Sequence, residues 1–126
     1  MPVNITVIHP KDFISTKVDG TLDLSASREV LLKLVSMIKT PREFDILIDT
    51  RQARVSLSIT DLYEIGAAVA SHPAVALCRT ALLTSLDEEG RAAFFELVAQ
   101  NRGASLSAFT SFEEAIAWLI MSGQRQ

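Results

Sequence analysis

The sequence predicts a single α/β domain with a mostly parallel central sheet of about five strands and about four helices, in the order β β α β α β α β α. Apolar residues switch repeatedly between a spacing of two, typical of strands, and a spacing of three or four, typical of helices. Ile46-Leu47-Ile48 is apolar at every position, as expected for a central strand covered on both faces. Strands separated by helices need right-handed crossovers, which place the helices against a parallel sheet.

Size and composition indicate one soluble domain over residues 1–126. A chain of 126 residues removes about two thirds of its unfolded surface from water, which is enough for stability without metals or disulfides. The hydrophobic share of 48% argues against disorder, and the longest apolar runs are too short to cross a membrane. The single cysteine, Cys78, and the lack of an export signal in MPVNITVIHP predict a reducing, cytoplasmic location.

The amino-terminal part of the chain predicts two strands and a helix. Alternating apolar residues indicate strands over residues 3–7 and 13–18, and Asp19-Gly20 is expected to interrupt the second strand. A helix is expected from about Ser27, and Thr40-Pro41 should end it because the proline ring clashes with a helical residue before it. The apolar residues that recur at helical spacing here are Val30, Leu31, Leu34, Val35 and Ile38.

The central part predicts a helix between two strands. After the strand at residues 46–48, a helix should end before His72-Pro73, and its apolar face is formed by Leu62, Ile65 and Val69. Residues 77–83 then predict another strand, in which Cys78 would act as a small buried hydrophobe.

Two segments that begin with serine predict the starts of the last two helices. Ser85-Leu86-Asp87-Glu88 and Ser111-Phe112-Glu113-Glu114 both match a capping box, in which side chains satisfy amides that the helix leaves free. Residues 105–109 between these helices predict a short last strand. One side of the terminal helix should be formed by Phe112, Ala115, Ile116 and Leu119.

Aromatic residues on these two helices leave several interpretations open. Phe94 and Phe95 are adjacent, which widens the apolar arc of their helix, and Trp118 lies off the apolar face of the last helix. An exposed patch of this kind marks a dimer interface, a partner's footprint or the mouth of a lipid-like pocket. Alternatively, the aromatic rings only seal the edge of a small core.

Three segments together resemble one known family. They are Val18-Asp19-Gly20-Thr21-Leu22-Asp23, the strand that ends in Asp49-Thr50-Arg51, and the closing segment from Phe109 to Leu119. In element order, nearly the whole chain is similar to the STAS (sulfate transporter and anti-sigma factor antagonist) fold, and in particular to its SpoIIAA-like branch of small bacterial proteins. The resemblance implies a non-enzymatic regulatory module that docks a protein partner through the carboxyl edge of the central strand and the helix start that follows.

The same resemblance implies a place for a phosphorylation site. In anti-sigma factor antagonists of this fold, a serine about nine residues after the strand's acid is phosphorylated by a partner kinase. Counting from Asp49 leads to Ser58, although the acid before it and the glycine after it in the family's motif are missing here. Ser58 and Thr60 are therefore the candidate phosphorylation sites, since a helix start tolerates a phosphate. The alternative is that Ser58 with Asp61, or Thr60 alone, only caps the helix.

The end of the central strand predicts a surface for a partner or a small ligand. Open α/β sheets bind ligands at the carboxyl ends of their strands, and arginine forks pair with carboxylates or phosphates. The alternative is an internal ion pair of Asp49 with Arg51 or Arg79, or an Asp49 side chain that caps its own turn. The candidate surface consists of Asp49, Thr50, Arg51, Arg54 and Ser56.

Other functions lack their necessary residues in the sequence. The net charge is −3 with scattered basic residues, which argues against nucleic-acid binding. His9 and His72 precede prolines in predicted turns and have no partner at metal-ligand spacing, so we expect no metal, no cofactor and no enzyme activity. Two hypotheses remain: a protein-interaction module, including self-association, or a ligand-binding domain that uses the carboxyl edge or a gap under the helix with Phe94 and Phe95.

Overall fold

A computed structural model describes residues 4–8, 13–38 and 45–124 of the chain. The predicted helix end at Thr40-Pro41 and the predicted turn that contains His9 lie outside these residues. The strands are β1 (Asn4–Ile8), β2 (Phe13–Leu22), β3 (Asp45–Asp49), β4 (Ala53–Val55), β5 (Thr80–Leu83) and β6 (Leu106–Phe109). The helices are α1 (Leu24–Met37), α2 (Ile59–Ser71), α3 (Pro73–Ala76), α4 (Glu89–Asn101) and α5 (Phe112–Gln124).

The strands form a sheet of the predicted class. Its order is β1-β2-β3-β5-β6, with β4 paired to β2 outside this path. Only β1 runs antiparallel to its neighbour in the described sheet, and the other pairs are parallel. The central position of β3 confirms the prediction from Ile46-Leu47-Ile48, and the predicted element order holds with two short additions, β4 and α3.

Each face of the sheet packs against its own helices. On one face, Ile14, Val18 and Ile46 belong to a core that includes buried residues of α1, α2 and α4. On the other face, Leu47 and its neighbours on β5 pack against buried residues of α5. This division follows from the alternation of side chains along a strand, which sends even and odd positions of β3 to opposite faces. The two faces therefore provide two separate environments for function.

Strand β2 continues through Asp19-Gly20, where the sequence predicted an interruption. Gly20 has a φ of 85°, a conformation that glycine adopts without steric cost. Before this glycine, β2 pairs with β3 as far as Lys17, and from Gly20 onward it pairs with β4. The glycine thus changes the strand's partner rather than ending the strand.

Two predicted boundaries differ from the structure for physical reasons. The first helix begins at Leu24 rather than near Ser27, because Asp23 caps it by accepting a hydrogen bond from the Ala26 amide at 2.8 Å. Cys78 lies between α3 and β5 rather than inside a strand, because Pro73 occupies the first position of a short helix. The Cys78 thiol is buried and donates to the Ala74 carbonyl at 3.0 Å.

Two further predictions concern the start of α4 and the end of α2. A 3₁₀ turn over Leu86–Glu88 precedes α4, and Ser85 makes no side-chain capping bond, so the capping box predicted there is wrong. Helix α2 ends at Ser71, as predicted, with His72 in the corner before Pro73. Gly66 of α2 lies against α4 so closely that a Cβ there would be 2.7 Å from a methyl carbon of Val98.

Candidate functional site

The carboxyl ends of the parallel strands meet at one edge of the sheet, and the segments that start α2, α4 and α5 leave from that edge. Strand β3 ends there at Asp49, β5 at Leu83 and β6 at Phe109. The residues that the sequence predicted as a partner or ligand surface follow β3 directly, so the fold brings them to this edge.

Asp49 and Arg51 form a bidentate pair at the end of β3. Arg51 donates from Nε to Asp49 Oδ1 at 3.0 Å and from Nη2 to Asp49 Oδ2 at 2.9 Å, and its backbone amide also donates to Oδ1 at 3.0 Å. This confirms the internal pair with Arg51; Arg79 instead pairs with Asp45, at 3.2 Å. The Asp49 carboxylate is thus saturated within its own turn and offers little to an external cation.

The protonation behaviour of this pair follows from its contacts. Partial burial works to raise the pKa of Asp49, but the hydrogen bonds from the Arg51 side chain and amide, together with the charges of Arg51 and Lys17, outweigh it. The pKa of Asp49 therefore lies below its ordinary value of 3.8. The hydrogen bond to Asp49 in turn raises the pKa of the Arg51 guanidinium.

Arg51 also connects β3 to the start of α5. Its guanidinium carbon lies 6.0 Å from the centre of the Phe112 ring, within the range of a cation–π contact. Phe112 was predicted on the buried side of α5, but 43% of it is exposed because it occupies the helix's first position, beyond the sheet. Arg51 and Phe112 together form an amphipathic surface.

The other predicted surface residues divide into buried and exposed ones. Thr50 is buried, and its hydroxyl donates to the Leu83 carbonyl at 3.0 Å, so it joins β3 to β5 and is not part of an outer surface. Arg54 on β4 and Ser56 after it are exposed. Of the predicted set, Arg51, Arg54 and Ser56 can therefore meet a docked partner.

The two candidate phosphorylation sites lie at the start of α2. Ser58 accepts a hydrogen bond from the Asp61 amide at 3.1 Å, and Asp61 accepts one from the Ser58 amide at 3.0 Å, which is a complete capping box. The capping interpretation of Ser58 with Asp61 is confirmed. Thr60 is exposed in the first turn and takes no part in this cap.

Three exposed apolar side chains at this edge were not predicted as functional. Ile59 is 59% exposed, Leu86 72% and Phe112 43%, and each directly follows a serine at the start of a helix or 3₁₀ turn. A first-turn side chain points back toward the helix's amino end, away from the core beside the sheet. The repeated pattern of serine, large apolar residue, any residue and acid, at residues 58, 85 and 111, was the available signal. We call Arg51, Arg54, Ile59, Leu86 and Phe112 the carboxyl-edge surface.

Acidic residues surround the carboxyl-edge surface. Carboxylates occupy the first turn of each helix that starts there, where they complement the helix dipole. They outnumber the cationic groups of the same edge, which are those of Lys17, Arg51, Arg54 and Arg91. The carboxylates are those of Asp49, Asp61, Asp87, Glu88, Glu89, Glu113 and Glu114.

The predicted gap under the helix with Phe94 and Phe95 is present as a cavity. It lies between the sheet and α1, α2 and α4, has a volume of about 110 Å³ and includes Phe95 in its wall. Phe94 and Phe95 are both half-buried, as is Trp118, whose ring centre is 5.7 Å from that of Phe109. The aromatic residues thus partly seal the core, as the alternative interpretation expected.

The described residues contain neither a metal-ion site nor a membrane-spanning helix. Among them, no three His, Cys, Asp or Glu side chains are grouped so that they could hold a metal ion. No helix in the same residues is long and apolar enough to span a bilayer.

Comparison with known proteins supports the fold. No protein-family model matches the chain, and no curated protein matches it either. The solved structure of an uncharacterised DUF3478-family protein with a SpoIIAA-like fold, from Shewanella loihica PV-4, has 23% identity and a TM-score of 0.54, with 93% of each chain covered. An anti-sigma factor antagonist from Mycobacterium paratuberculosis has 9% identity and a TM-score of 0.60, with 94% of this chain and 95% of that one covered. The chain therefore has the STAS/SpoIIAA-like fold.

Proposed function

We propose that the chain is a non-enzymatic regulatory module that docks a protein partner through the carboxyl-edge surface. The observation that carries this proposal is the exposure of Ile59, Leu86 and Phe112, which start three segments at one edge of the sheet. Exposed large apolar residues at the same edge of a soluble domain are candidate binding residues. The single cysteine fits a reducing compartment, and we expect this docking in the cytoplasm.

The composition of the surface is that of a protein interface. Interface centres are enriched in aromatic residues and arginine, and a few such residues supply most of the binding free energy. Phe112 with the Arg51 guanidinium beside its ring forms such a centre. Arg51 is already held by Asp49, so little side-chain freedom remains to be lost when a partner binds.

The charge around the surface selects the kind of partner. Because carboxylates outnumber guanidinium groups at this edge, a partner with an apolar centre and a basic rim is favoured. Two copies of this edge would bring like charges together, which disfavours self-association through it. The fold adds support, since one protein that shares it is named for antagonism of an anti-sigma factor, itself a protein.

The test places a photo-crosslinking amino acid, p-benzoylphenylalanine, at Phe112 or Leu86 in the chain's native cells. The matched control is the same amino acid at Leu77, which is 42% exposed but precedes β5 and so lies toward the opposite edge of the sheet. We expect a single protein, other than the chain itself, to be crosslinked from Phe112 and from Leu86. We expect Leu77 not to crosslink this protein.

The crosslinked protein then allows a direct affinity measurement. We expect Phe112→Ser and Leu86→Ser to weaken its binding by about ten-fold or more, whereas Leu77→Ser changes it by less than about two-fold. Equal crosslinking from both edges, or crosslinking only to a second copy of the chain, would overturn the proposal.

We further propose that phosphorylation at the start of α2 regulates this docking. Thr60 is the better of the two candidate residues, because its exposed side chain is not used by the cap and first-turn amides favour a phosphate. A phosphate on Ser58 would face the Asp61 carboxylate within the capping box. The intact mass of the protein from its native cells tests this proposal. We expect a phosphate-sized increment, which fragmentation should assign to Thr60 rather than to Ser58. An unmodified mass in every growth phase would contradict it.

A further inference from the structure

We propose that the cleft between the first two turns of helix α4 and the end of strand β6 binds a linear aliphatic diamine, with one ammonium group at each end of the cleft. This site goes beyond the proposed docking function, because none of the five residues of the carboxyl-edge surface lines the cleft. The failure of either proposal would therefore leave the other standing.

The cleft is wide because small residues face each other across it. Helix α4 contributes Ala92 and Ala93 and strand β6 contributes Ala108, which leaves a volume of about 200 Å³. A single water needs roughly 10–15 Å³, so the cleft has room for a molecule of several heavy atoms. Ala93 is exposed, which shows that the cleft is open to solvent on the helix side.

Two carboxylates lie at opposite ends of the helix face that lines the cleft. Glu89 and Glu96 are seven residues apart, with Ala92 and Ala93 between them at helical spacing. Two turns of helix separate them by about 10.5 Å along the axis. This separation suits two cationic groups better than one small ion, and no three His, Cys, Asp or Glu side chains of the described chain are grouped to hold a metal.

The Glu96 end of the cleft offers hydrogen-bond acceptors. Glu96 Oε2 accepts from the Ala108 amide at 2.7 Å, which fixes the carboxylate against the strand and leaves Oε1 without a hydrogen bond in the described chain. The Ala108 carbonyl faces away from β5 and accepts no hydrogen bond from a described residue either. An ammonium group has three donors and no acceptor, so it complements this end.

The Glu89 end combines a carboxylate with two hydroxyls, those of Thr84 after β5 and Thr110 after β6. Thr84 is 4% exposed, and its hydroxyl makes no hydrogen bond to any part of the chain that is described. Unlike the hydroxyls of Thr16 and Thr80, it is not sealed from the space that its residue lines. A second ammonium group would give this hydroxyl and the Glu89 carboxylate a donor.

The middle of the cleft suits a short alkyl chain. Between the two ends, the cleft is lined by the methyl groups of Ala92, Ala93 and Ala108. After two ammonium–carboxylate contacts of about 2.8 Å each, the span between the carboxylates leaves room for roughly three to five carbons. Among the described residues no Lys or Arg lines the cleft, so an anionic ligand would meet only like charges.

Three cations test the proposal as matched probes. Butane-1,4-diamine has two ammonium groups, butylamine has one on the same chain, and Mg²⁺ carries two charges on one ion. Each is titrated into the full chain at constant ionic strength, because added salt screens exposed charges. The methyl resonance of Ala93 and the amide resonance of Ala108 are followed by NMR.

We expect saturable shifts with butane-1,4-diamine. Butylamine should bind about ten-fold more weakly, because it meets only one of the two carboxylates. Mg²⁺ should give no saturable shift, because it demands near-octahedral oxygen ligands that the cleft does not supply.

Substitution of the two acids tests both ends of the cleft. Glu96→Gln keeps an acceptor for the Ala108 amide while it removes the charge, and we expect it to weaken diamine binding by about ten-fold. Glu89→Gln should weaken it by about three-fold, since Glu89 is exposed and solvent screens its charge. Glu29→Gln is the control, because it removes an exposed acid on α1 outside the cleft and should change binding by less than about two-fold.

Two further variants test the hydroxyl and the space. Thr84→Val keeps the side-chain shape and should weaken diamine binding by about three-fold. Ala93→Leu places a larger side chain in the cleft at an exposed position and should abolish saturable binding. Urea denaturation of each variant confirms that the domain is folded under the conditions of the titration.

Several outcomes would overturn the proposal. They are the absence of saturable shifts with butane-1,4-diamine, equal affinity for butylamine, and binding that survives Ala93→Leu. Equal effects of Glu29→Gln and Glu96→Gln, or Mg²⁺ shifts as strong as those of the diamine, would show only a general attraction of cations to an acidic protein and would also overturn it.

Discussion

At the scale of single residues, Asp49 holds Arg51 in place. It accepts three hydrogen bonds from Arg51, and Arg51 in turn lies over Phe112, so the carboxylate fixes the arginine that the proposed partner would meet. In the proposed docking Asp49 would position Arg51, whereas its contribution to stability depends on its charge.

Asp49→Asn should lower stability in a way that depends on pH. The pKa of Asp49 in the folded chain lies below its ordinary value of 3.8, so the unfolded state binds more protons as the pH falls. The contribution of the carboxylate is thus fully present above about pH 5 and is lost as the pH falls through the lowered pKa. We expect wild type to exceed Asp49→Asn by up to about 1 kcal/mol at pH 7, a modest figure because solvent screens the partly exposed pair.

Urea denaturation of both proteins at intervals from pH 3 to pH 7 measures this difference. Asp87→Asn is the control, since Asp87 is exposed and makes no hydrogen bond or ion pair within the described chain. A difference between wild type and Asp49→Asn that grows toward acid would contradict the sign of the argument.

At the scale of secondary-structure elements, β6 is an edge strand whose outer side is covered by side chains of α4. The Ala108 amide donates to Glu96 Oε2 at 2.7 Å, and Gln100 Nε2 donates to the Leu106 carbonyl at 2.7 Å. The carbonyls of Ser105 and Phe109 accept hydrogen bonds from the amides of Thr80 and Thr84. Because alternate residues of a strand bond to the same neighbour, the backbone groups of Leu106 and Ala108 face away from β5. Glu96 and Gln100, one helical turn apart, thus occupy groups that would otherwise pair with a strand from another molecule.

Removal of one of these side chains should have two effects. We expect Glu96→Ala to lower the free energy of unfolding by about 1–2 kcal/mol, because a hydrogen bond to a carboxylate is lost. The freed edge should also promote self-association as the protein concentration rises. Urea denaturation and sedimentation velocity measure the two effects.

Two further variants separate the hydrogen bond from the loss of an acid. Glu96→Gln keeps an acceptor for the Ala108 amide and should retain most of the stability. Glu29→Ala removes an exposed acid on α1 and should change neither property. A monomeric Glu96→Ala protein of unchanged stability would show that the edge does not depend on this contact.

At the scale of the whole molecule, the sequence predicted the architecture well because periodicity and turn chemistry are local signals. The central place of Ile46-Leu47-Ile48 and the end of α2 before His72-Pro73 were predicted from such signals and are confirmed. The partner change of β2 at Gly20 depends on where β4 lies, which no local pattern reveals. The pairing of Asp49 with Arg51 could be proposed from the sequence as one alternative, because the two residues are only two positions apart.

The unpaired hydroxyl of Thr80 could not have been predicted. It has no partner among the described residues because Ile46 and Leu106 lie beside Thr80 in the folded sheet, and the sequence does not show which strands become neighbours. An unsatisfied buried hydroxyl lowers the stability of the domain.

Thr80→Val should therefore stabilise the domain. Removal of the unpaired hydroxyl should raise the free energy of unfolding by about 1 kcal/mol, because a methyl group needs no partner in apolar surroundings. Thr16→Val should stabilise by a similar amount, since Thr16 is also buried and its hydroxyl is unpaired among the described residues. Urea denaturation compares the two variants. If Thr16→Val stabilises and Thr80→Val destabilises, the Thr80 hydroxyl is already satisfied by ordered water.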